Sequence, residues 1–369
     1  MSENSTNKRL LSIDALRGFD MLFISGGGTF LVLLNGKTGW SWVDGLATQL
    51  KHVPWNGFVF YDFIFPLFLF ISGVSLSFSL TKGTEKGFAK TDLYKKVFVR
   101  MLLLIGLGII YKNAPISFFE PSNIRVVSVL GRIGFACFIA CLLYLNFSVR
   151  GRLYWIGGIL LSYYAILFLV PVPGYGAGDL SFEGNIVGWV DRMLLPGRLH
   201  NGTYDELGIL TQFPALCIAV FGTIAGDLLR QNASGNRITI TLVIAGAVAV
   251  VLGLVWGFHF PINKKLWSSS FIMLTSGLGF LITALFYWLI DVKGYQKWAF
   301  FFKVIGVNSL AVYFAYRFIN FREASHKLFA GLYAPLPEEW HEVFEALGAW
   351  VLVWLLLYFL FRNKIFVKI

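Results

Sequence analysis

The stretch KHVPWNGFVFYDFIFPLFLFISG, Lys51–Gly73, places a histidine, a tryptophan and an asparagine in front of a long apolar run that carries one carboxylate, Asp62. A helix that crosses a bilayer needs about 20 mainly apolar residues, and this run supplies them. A charged side chain at the bilayer centre costs about 2.5 to 3.5 kcal/mol on insertion scales. Asp62 is therefore expected to be paired, neutral or hydrated, and His52 is a candidate partner at the entrance of a transmembrane helix.

The composition of the whole chain agrees with a membrane protein. Of its 369 residues, 57% are hydrophobic and only 14% are charged, and the mean hydropathy is +0.69. A soluble domain is about one quarter charged. The predicted fold class is an all-α, polytopic membrane helix bundle that forms a single domain over residues 1–369. The net charge of +11 fits basic cytoplasmic loops, and no nucleic-acid-binding motif accompanies it.

Ten apolar windows are long enough to predict transmembrane helices, with both termini on the same side of the membrane. The windows are 12–35, 58–80, 97–113, 124–146, 152–171, 209–229, 238–258, 267–290, 298–320 and 345–362. Lys and Arg concentrate in the segments on the N-terminal side, including Lys8, Arg9, the 82–100 loop and Lys368. Because cytoplasmic loops carry the excess of basic residues, both termini are predicted to be cytoplasmic.

This topology places the histidines at the outer ends of the helices or in outer loops. They are His52, His200, His259, His326 and His341. The outer segments 171–208 and 320–345 are long and rich in Gly, Pro and aromatic residues, a composition typical of loops that carry a site rather than of linkers. We expect both segments to fold over a site at the outer face.

The segment SIDALRGFDM, Ser12–Met21, contains two charged residues on one helix face. Asp14 and Arg17 are three apart, so they can form a structural ion pair, or Arg17 can face an anionic ligand that enters from the cytoplasm. The next segment, SGGGTF, Ser25–Phe30, has three successive glycines at membrane depth. Glycine there allows close approach of a helix or of a ligand.

His52 also has two interpretations. A neutral imidazole can remove a proton from an amine or itself accept an acyl group, with Asp62 as its orienting partner. Alternatively, His52 lies at the membrane interface beside a tryptophan, and Asp62 caps a neighbouring helix.

Four further blocks carry polar residues at or near membrane depth. They are HFPINKKLWSSS (His259–Ser270), YDELGILTQFP (Tyr204–Pro214), GRIG around Arg132, and GVNSLAVY with Asn308. The two lysines of the first block either bind a ligand or extend to lipid head groups. Arg132 and Asn308 are expected to face the interior of the bundle. We further expect Asn263, Lys264 and Asp62 to share one cavity with His52.

Six of these motifs, in this order, carry a family resemblance. They are SIDALRGFDM, HVPWNGFVFYDFIFPLFLFISG, VLGRIG, ELGILTQFPAL, FPINKKLWSSSF and GVNSLAVY. Over about residues 10 to 320 the chain resembles the heparan-α-glucosaminide N-acetyltransferase family of transmembrane acyltransferases, especially its bacterial members. The resemblance implies transfer of an acetyl group from cytosolic acetyl-CoA to the amino group of a glucosamine or terminal glucosaminide on the far side of the membrane. The histidine of the H-x-x-W-x-G block is catalytic in that family, and His52 occupies this position.

The resemblance and the residue chemistry together predict a set of site residues. The catalytic residues would be His52 and Asp62, and the acetyl-CoA end would hold Arg17, Gly27, Gly28 and Arg132. The sugar would contact Trp55, Asn56, Asp205, Glu206, Asn263, Lys264, Trp267 and Asn308. No metal is expected, because the three cysteines lie in apolar runs without metal-ligand spacing.

The expected partners are the sugar acceptor, acetyl-CoA and membrane lipid. Nucleic acid is not expected to bind, and a homodimer is possible. The expected location is a bacterial inner membrane, with the active face outward. The alternative function is a carrier for amino sugars or N-acetylglucosamine, in which His52 and Asp62 would form a proton-coupling pair.

Overall fold

The computed structural model describes residues 10–115 and 119–367, and within these residues the regular elements are helices, with isolated β-bridges but no named strand. This confirms the predicted all-α class. Lys8, Arg9 and Lys368, which contributed to the predicted orientation, lie outside the described residues. The helices are α1 (Leu11–Ile24), α2 (Thr29–Leu33), α3 (Ser41–Gln49), α4 (Phe60–Glu85), α5 (Lys90–Asn113), α6 (Val129–Asn146), α7 (Val149–Leu169), α8 (Ile186–Leu194), α9 (Gln212–Leu229), α10 (Gly235–Gly257), α11 (Ser269–Phe286), α12 (Ala299–Val307), α13 (Ser309–Phe318), α14 (Phe321–Tyr333) and α15 (Glu338–Arg362).

Many of these helices can cross a membrane. In the described part of the chain, 8 helical segments are long and apolar enough, and one of them is Leu11–Leu33, which contains both α1 and α2. The number rises to 9 if α12 and α13, which meet at a bend of 68°, form one span. The predicted number of ten is therefore not confirmed, although the class of multi-span membrane protein is. The predicted window 97–113 falls in α5, which is 24 residues long but carries Lys95, Lys96 and Arg100.

Two of the predicted spans have different ends in the structure. The window 12–35 is divided into α1 and α2 because the chain turns at Gly26, whose φ of 74° lies in the left-handed region that glycine adopts without steric cost. The final span begins seven residues earlier than predicted, at Glu338, so part of the segment 320–345 is helical rather than loop. Helix α14 occupies most of the remainder.

The chain forms two compact units. The first contains the described residues up to 54, residues 58–65 and residues 283–367, and the second contains 55–57 and the described residues of 66–282. In the first unit α1 packs on α12, and a Cβ added at Gly18 would overlap the carbonyl oxygen of Phe302. In the second unit α4 and α9 approach equally closely through Gly73 and Gly222. Small residues at such crossings let helix backbones touch, as is usual in membrane bundles. The single domain over 1–369 stays a prediction.

A buried ionic cluster joins four helices of the second unit. Arg152 of α7 and Arg230 at the end of α9 both bind the carboxylate of Asp227. Arg230 also donates to Tyr144 of α6, at 2.7 Å, and to Thr81 of α4. A desolvated charge is tolerated only when it is well paired, so this cluster fixes the relative positions of α4, α6, α7 and α9.

Candidate active site

His52 and Asp62 form a hydrogen-bonded pair in the first unit. The imidazole Nδ1 lies 2.7 Å from the carboxylate Oδ1 of Asp62, in the first turn of α4. The Asp62 side chain is 1% exposed, whereas the His52 side chain is 39% exposed. A carboxylate accepts the proton of Nδ1–H, so the arrangement leaves the lone pair on Nε2, the ring nitrogen that faces away from Asp62. The structure therefore brings together the two predicted catalytic residues in a geometry suited to a base or a nucleophile.

The loop before α4 holds this pair in place. The backbone N–H of Val59 donates to the second oxygen of Asp62 at 3.3 Å, and that of Phe60 donates to the side chain of Gln49, at the end of α3, at 3.0 Å. The ring of Tyr61 lies 4.7 Å from the ring of His52, at an interplanar angle of 32°. Because the carboxylate and the aromatic ring both constrain the imidazole, its exposed edge has a defined direction.

The start of α1 carries the other predicted charges of the first unit. Arg17 lies 3.6 Å from Asp14, as their spacing predicts, and its side chain is 23% exposed. Asp291 accepts the backbone N–H of Ser12 at 3.2 Å and so adds a second carboxylate near this helix end. The geometry agrees with the ion-pair interpretation, and a role of Arg17 in binding acetyl-CoA stays a prediction.

The glycines predicted to leave room for acetyl-CoA are packed against other parts of the protein. A Cβ added at Gly27 would lie 2.5 Å from the indole nitrogen of Trp350. One added at Gly28 would lie 3.2 Å from a methyl group of Leu50. The idea that Gly27 leaves space for a ligand does not fit this structure, because the side chain of Trp350 fills that space.

In the second unit the segment Trp55–Gly57 is bound to the HFPINKKLWSSS block. The side-chain nitrogen of Asn263 donates to the side-chain oxygen of Asn56 at 3.0 Å, and the backbone N–H of Gly57 donates to the carbonyl of Ile262 at 2.9 Å. The indole N–H of Trp55 donates to the carbonyl of Leu180 at 3.0 Å. Two predicted substrate-binding residues, Asn56 and Asn263, are thus brought together. The shared cavity with His52 stays a prediction.

Trp267 and Arg132 form a buried cation–π pair. The guanidinium carbon lies 4.4 Å from the centre of the indole, and both side chains are buried. Arg132 also donates to the side chains of Thr211 and, at 3.3 Å, Gln212. Trp267 has a φ of 50°, which is rare for a bulky residue and implies that its surroundings hold it in place.

This pair brings together two residues predicted for different ends of the site. Arg132 is predicted for the acetyl-CoA end and Trp267 for the sugar end, and the two side chains are in direct contact. Ser128 caps the start of α6 by accepting the N–H of Gly131. Arg132 therefore lies in the first turn of α6, where it donates to Thr211. Its role toward a ligand stays a prediction.

Asp205 binds other groups of the protein, and its contact with sugar stays a prediction. It is fully buried, and its two oxygens accept two hydrogen bonds from Arg125, at 2.6 and 2.7 Å. The backbone N–H groups of His200 and Leu207 bind the same oxygens, at 3.1 and 2.9 Å. A carboxylate has about four acceptor positions, and these contacts use them. Arg125 was missed because a single arginine in a loop has no motif around it.

Glu206 stays a candidate for contact with a polar ligand. Its carboxylate lies 3.0 Å from Nζ of Lys265. Burial alone would raise the pKa of Glu206, but Lys265, Lys264 and His200 together hold it below its usual value. Glu206 is therefore a carboxylate at neutral pH. Lys264 is buried beside it, so the two lysines of the hairpin act on this acidic residue rather than extend to lipid head groups.

Asn308 binds the protein backbone, and its role in binding sugar stays a prediction. Its side-chain nitrogen donates to the carbonyl of Ile365 at 3.0 Å, and its oxygen accepts the backbone N–H of Val367 at 3.1 Å. The amide thus binds the segment after α15, at the bend between α12 and α13. Within the described residues no three His, Cys, Asp or Glu side chains are grouped as metal ligands, and a site without metal stays a prediction.

These features define a multi-span helical membrane protein with a carboxylate-bound, exposed histidine at the entrance of a transmembrane helix. The chain belongs to the heparan-α-glucosaminide N-acetyltransferase family, whose catalytic-region model matches residues 9–259. It is 30% identical to the human heparan-α-glucosaminide N-acetyltransferase over 421 positions, which cover 98% of this chain and 60% of the human protein. The mouse protein of the same name is 29% identical, and 62% of it is covered. The chain therefore spans about three fifths of the length of these relatives.

Proposed function

We propose that the protein transfers the acetyl group of acetyl-CoA to the amino group of glucosamine or of a terminal glucosaminide. The observation that carries this proposal is the hydrogen bond between Asp62 and Nδ1 of His52, a histidine whose side chain is 39% exposed. Membership of a family named for this reaction supports it. Acetyl-CoA is a substrate in this account, and the second product is free coenzyme A.

The acetyl group can reach the amine by two routes. In the direct route, the sugar nitrogen attacks the thioester carbonyl, Nε2 of His52 takes a proton from that nitrogen, and the thiolate of coenzyme A leaves and is protonated. In the two-step route, Nε2 attacks the thioester, coenzyme A leaves, and the amine then attacks the acetyl-imidazole. In both routes Asp62 holds the ring and stabilises the positive charge that develops on it.

The direction of transfer follows from the predicted topology. The phosphates of acetyl-CoA cannot enter hydrocarbon, so the donor would bind from the cytoplasm, with Arg17 suited to its charged end. The acceptor would enter from the outer face of a bacterial inner membrane. Asn56, Asn263, Glu206 and Lys264 supply amide, carboxylate and ammonium groups of the kind that bind sugar hydroxyl and amino groups.

The test is whether the purified protein acetylates glucosamine, measured as release of coenzyme A and formation of N-acetylglucosamine. His52→Ala and Asp62→Asn should lower the rate, His52→Ala by about a hundred- to ten-thousandfold, because it removes the base. His259→Ala is the matched control: this exposed histidine is hydrogen-bonded to Tyr164, at 2.9 Å, rather than to a carboxylate, and its loss should leave the rate unchanged. A normal rate in His52→Ala would remove this residue from the mechanism.

Two outcomes separate the remaining alternatives. Release of one equivalent of coenzyme A without acceptor, with acetyl retained on the protein, supports the two-step route, and no release supports the direct one. If the wild-type protein forms no N-acetylglucosamine but moves amino sugars into proteoliposomes in response to a proton gradient, the function is that of a carrier and not of an acetyltransferase.

A further inference from the structure

Asp20 is a buried carboxylate that the proposed mechanism does not use. It lies in α1, it has no exposed surface, and neither of its oxygens has a hydrogen-bond partner among residues 10–115 and 119–367. Loss of hydration without a compensating hydrogen bond is costly for a carboxyl group in either protonation state. Its neighbours Asp14 and Asp62 do have partners. Asp20 therefore carries acceptor atoms for which the protein itself supplies no donor in the described residues.

Along α1, Asp20 lies between Arg17, which is proposed to bind the charged end of acetyl-CoA, and the part of the helix that contacts the start of α4. Residues three and four apart share a helix face, so Ile13, Arg17, Asp20 and Ile24 form one stripe. Along the axis, Arg17 is about 4.5 Å from Asp20, toward the N-terminal end. At the other end of α1, the ring of Phe23 lies 5.0 Å from that of Phe60, two residues before Asp62. The order along the helix is thus Arg17, Asp20, and then the contact with the start of α4.

We infer that Asp20 binds the pantetheine arm of acetyl-CoA by accepting hydrogen bonds from its amide N–H groups. This inference rests on the proposed function. Acetyl-CoA has its phosphates at one end, two amide N–H groups in the middle and the thioester at the other end. This order matches that of Arg17, Asp20 and the His52–Asp62 pair in the first unit. The carboxyl group of Asp20 would accept from the amides, so it would set the register of the arm and present the thioester to Nε2 of His52.

The experiment compares two ligands that differ in the arm. Coenzyme A contains it, whereas 3′,5′-ADP carries the nucleotide and phosphates without it. Binding of each is measured by calorimetry to the wild type, to Asp20→Leu and to Ser25→Ala. The last is a control on the same helix whose hydroxyl donates only to the carbonyl of Leu22 in α1. Asp20→Leu should weaken binding of coenzyme A about tenfold, since the hydrogen bonds to the arm are lost, and should leave binding of 3′,5′-ADP unchanged.

Thermal unfolding of the ligand-free proteins separates binding from structure. Because Asp20 has no partner to lose, Asp20→Leu should unfold at the same or a higher temperature than the wild type. Equal affinity of wild type and Asp20→Leu for coenzyme A overturns the inference, and so does an equal loss for both ligands. Stabilisation of the wild type by Na⁺ that Asp20→Leu lacks would make Asp20 a cation site instead. If the wild type binds no coenzyme A at all, the proposed function itself fails.

Discussion

Asp191 shows how a single buried carboxylate can organise a loop. It is fully buried in α8, and its two oxygens accept the backbone N–H groups of Asp205 and Ile209, both at 3.0 Å. These bonds fix the segment that carries Glu206. Burial, together with the nearby charge of Asp205, raises the pKa of Asp191 to about 6 in spite of the two backbone hydrogen bonds.

The raised pKa predicts a pH dependence of this loop. A carboxyl group whose pKa is higher in the folded state contributes its stability fully below the unfolded value, near 4, and loses it as the pH rises through about 6. Hydrogen exchange of residues 199–209, corrected for intrinsic rates, should therefore show more protection at pH 5 than at pH 7.5. His200, whose pKa is lowered by burial, acts in the opposite direction over part of this range. Asp191→Asn should therefore abolish or reverse the difference. Glu206 cannot produce it, because its lowered pKa acts only at more acid pH. Equal protection at both pH values would contradict the prediction.

The residues that the sequence predicted correctly are those whose burial demands a particular partner. Asp62 lies in an apolar run, so a partner was required, and His52 was the polar side chain near enough along the chain. The protein partners of Asp205 and Asn308 were not predicted, for the opposite reason. Their partners are Arg125 and the backbone after α15, which are distant in sequence and have no periodic pattern. A polar residue at membrane depth can bind protein or ligand, and the sequence does not distinguish the two.

At the scale of helices, the crossing of α1 and α12 depends on two glycines. A Cβ at Gly306 would overlap the carbonyl oxygen of Asp14, and one at Gly18 would overlap that of Phe302. Both contacts are with backbone, which cannot move aside as a flexible side chain can. This crossing also fixes the helix that carries Arg17 and Asp20.

Gly18→Ala should therefore destabilise the protein, by about 1 to 3 kcal/mol or more, because overpacking forces the helices apart. Gly157→Ala in α7 is the matched control: nothing lies within 4 Å of the added atom, and alanine is the better helix former. The measurement is the midpoint of thermal unfolding in detergent. A midpoint for Gly18→Ala at or above that of Gly157→Ala would show that the crossing tolerates the methyl group.

Helix prediction succeeded where apolar length alone decides and failed where the backbone breaks. The apolar runs of α4, α9 and α10 are continuous. Most ends of these helices were predicted to within a few residues. The break between α1 and α2, and that between α12 and α13, depend on Gly26 and on the contacts of Asn308. A triple glycine marked the first break without showing that the helix would end there. Nothing in GVNSLAVY indicated the second.

For the whole molecule, the side of the membrane that each loop occupies depends on whether α5 crosses. Its charged residues lie in the first half of the helix, except for Lys112 in the last turn, and the segment from Met101 to Tyr111 is uncharged. Its 24 residues span about 36 Å, more than the roughly 30 Å of hydrocarbon. Gly134 of α6 packs against Met101, and Gly108 of α5 packs against Ser128, so the two helices run antiparallel over most of their length. Since α6 is apolar enough to span, α5 should cross beside it.

Cysteine labelling from each side of the membrane tests this topology. The native cysteines Cys137, Cys141 and Cys217 are buried and should not react, so single exposed cysteines can be introduced into the natural sequence. If α5 crosses, Lys86→Cys before it and Glu120→Cys after it should react with an impermeant maleimide from opposite sides. Gln231→Cys, between α9 and α10, should then react from the same side as Lys86→Cys, the cytoplasmic one by the distribution of basic residues. Labelling of Glu120→Cys from the side of Lys86→Cys would mean that α5 does not cross. Every loop after α5 would then change sides relative to Lys86, including the loop with Glu206 and the loop with Lys265.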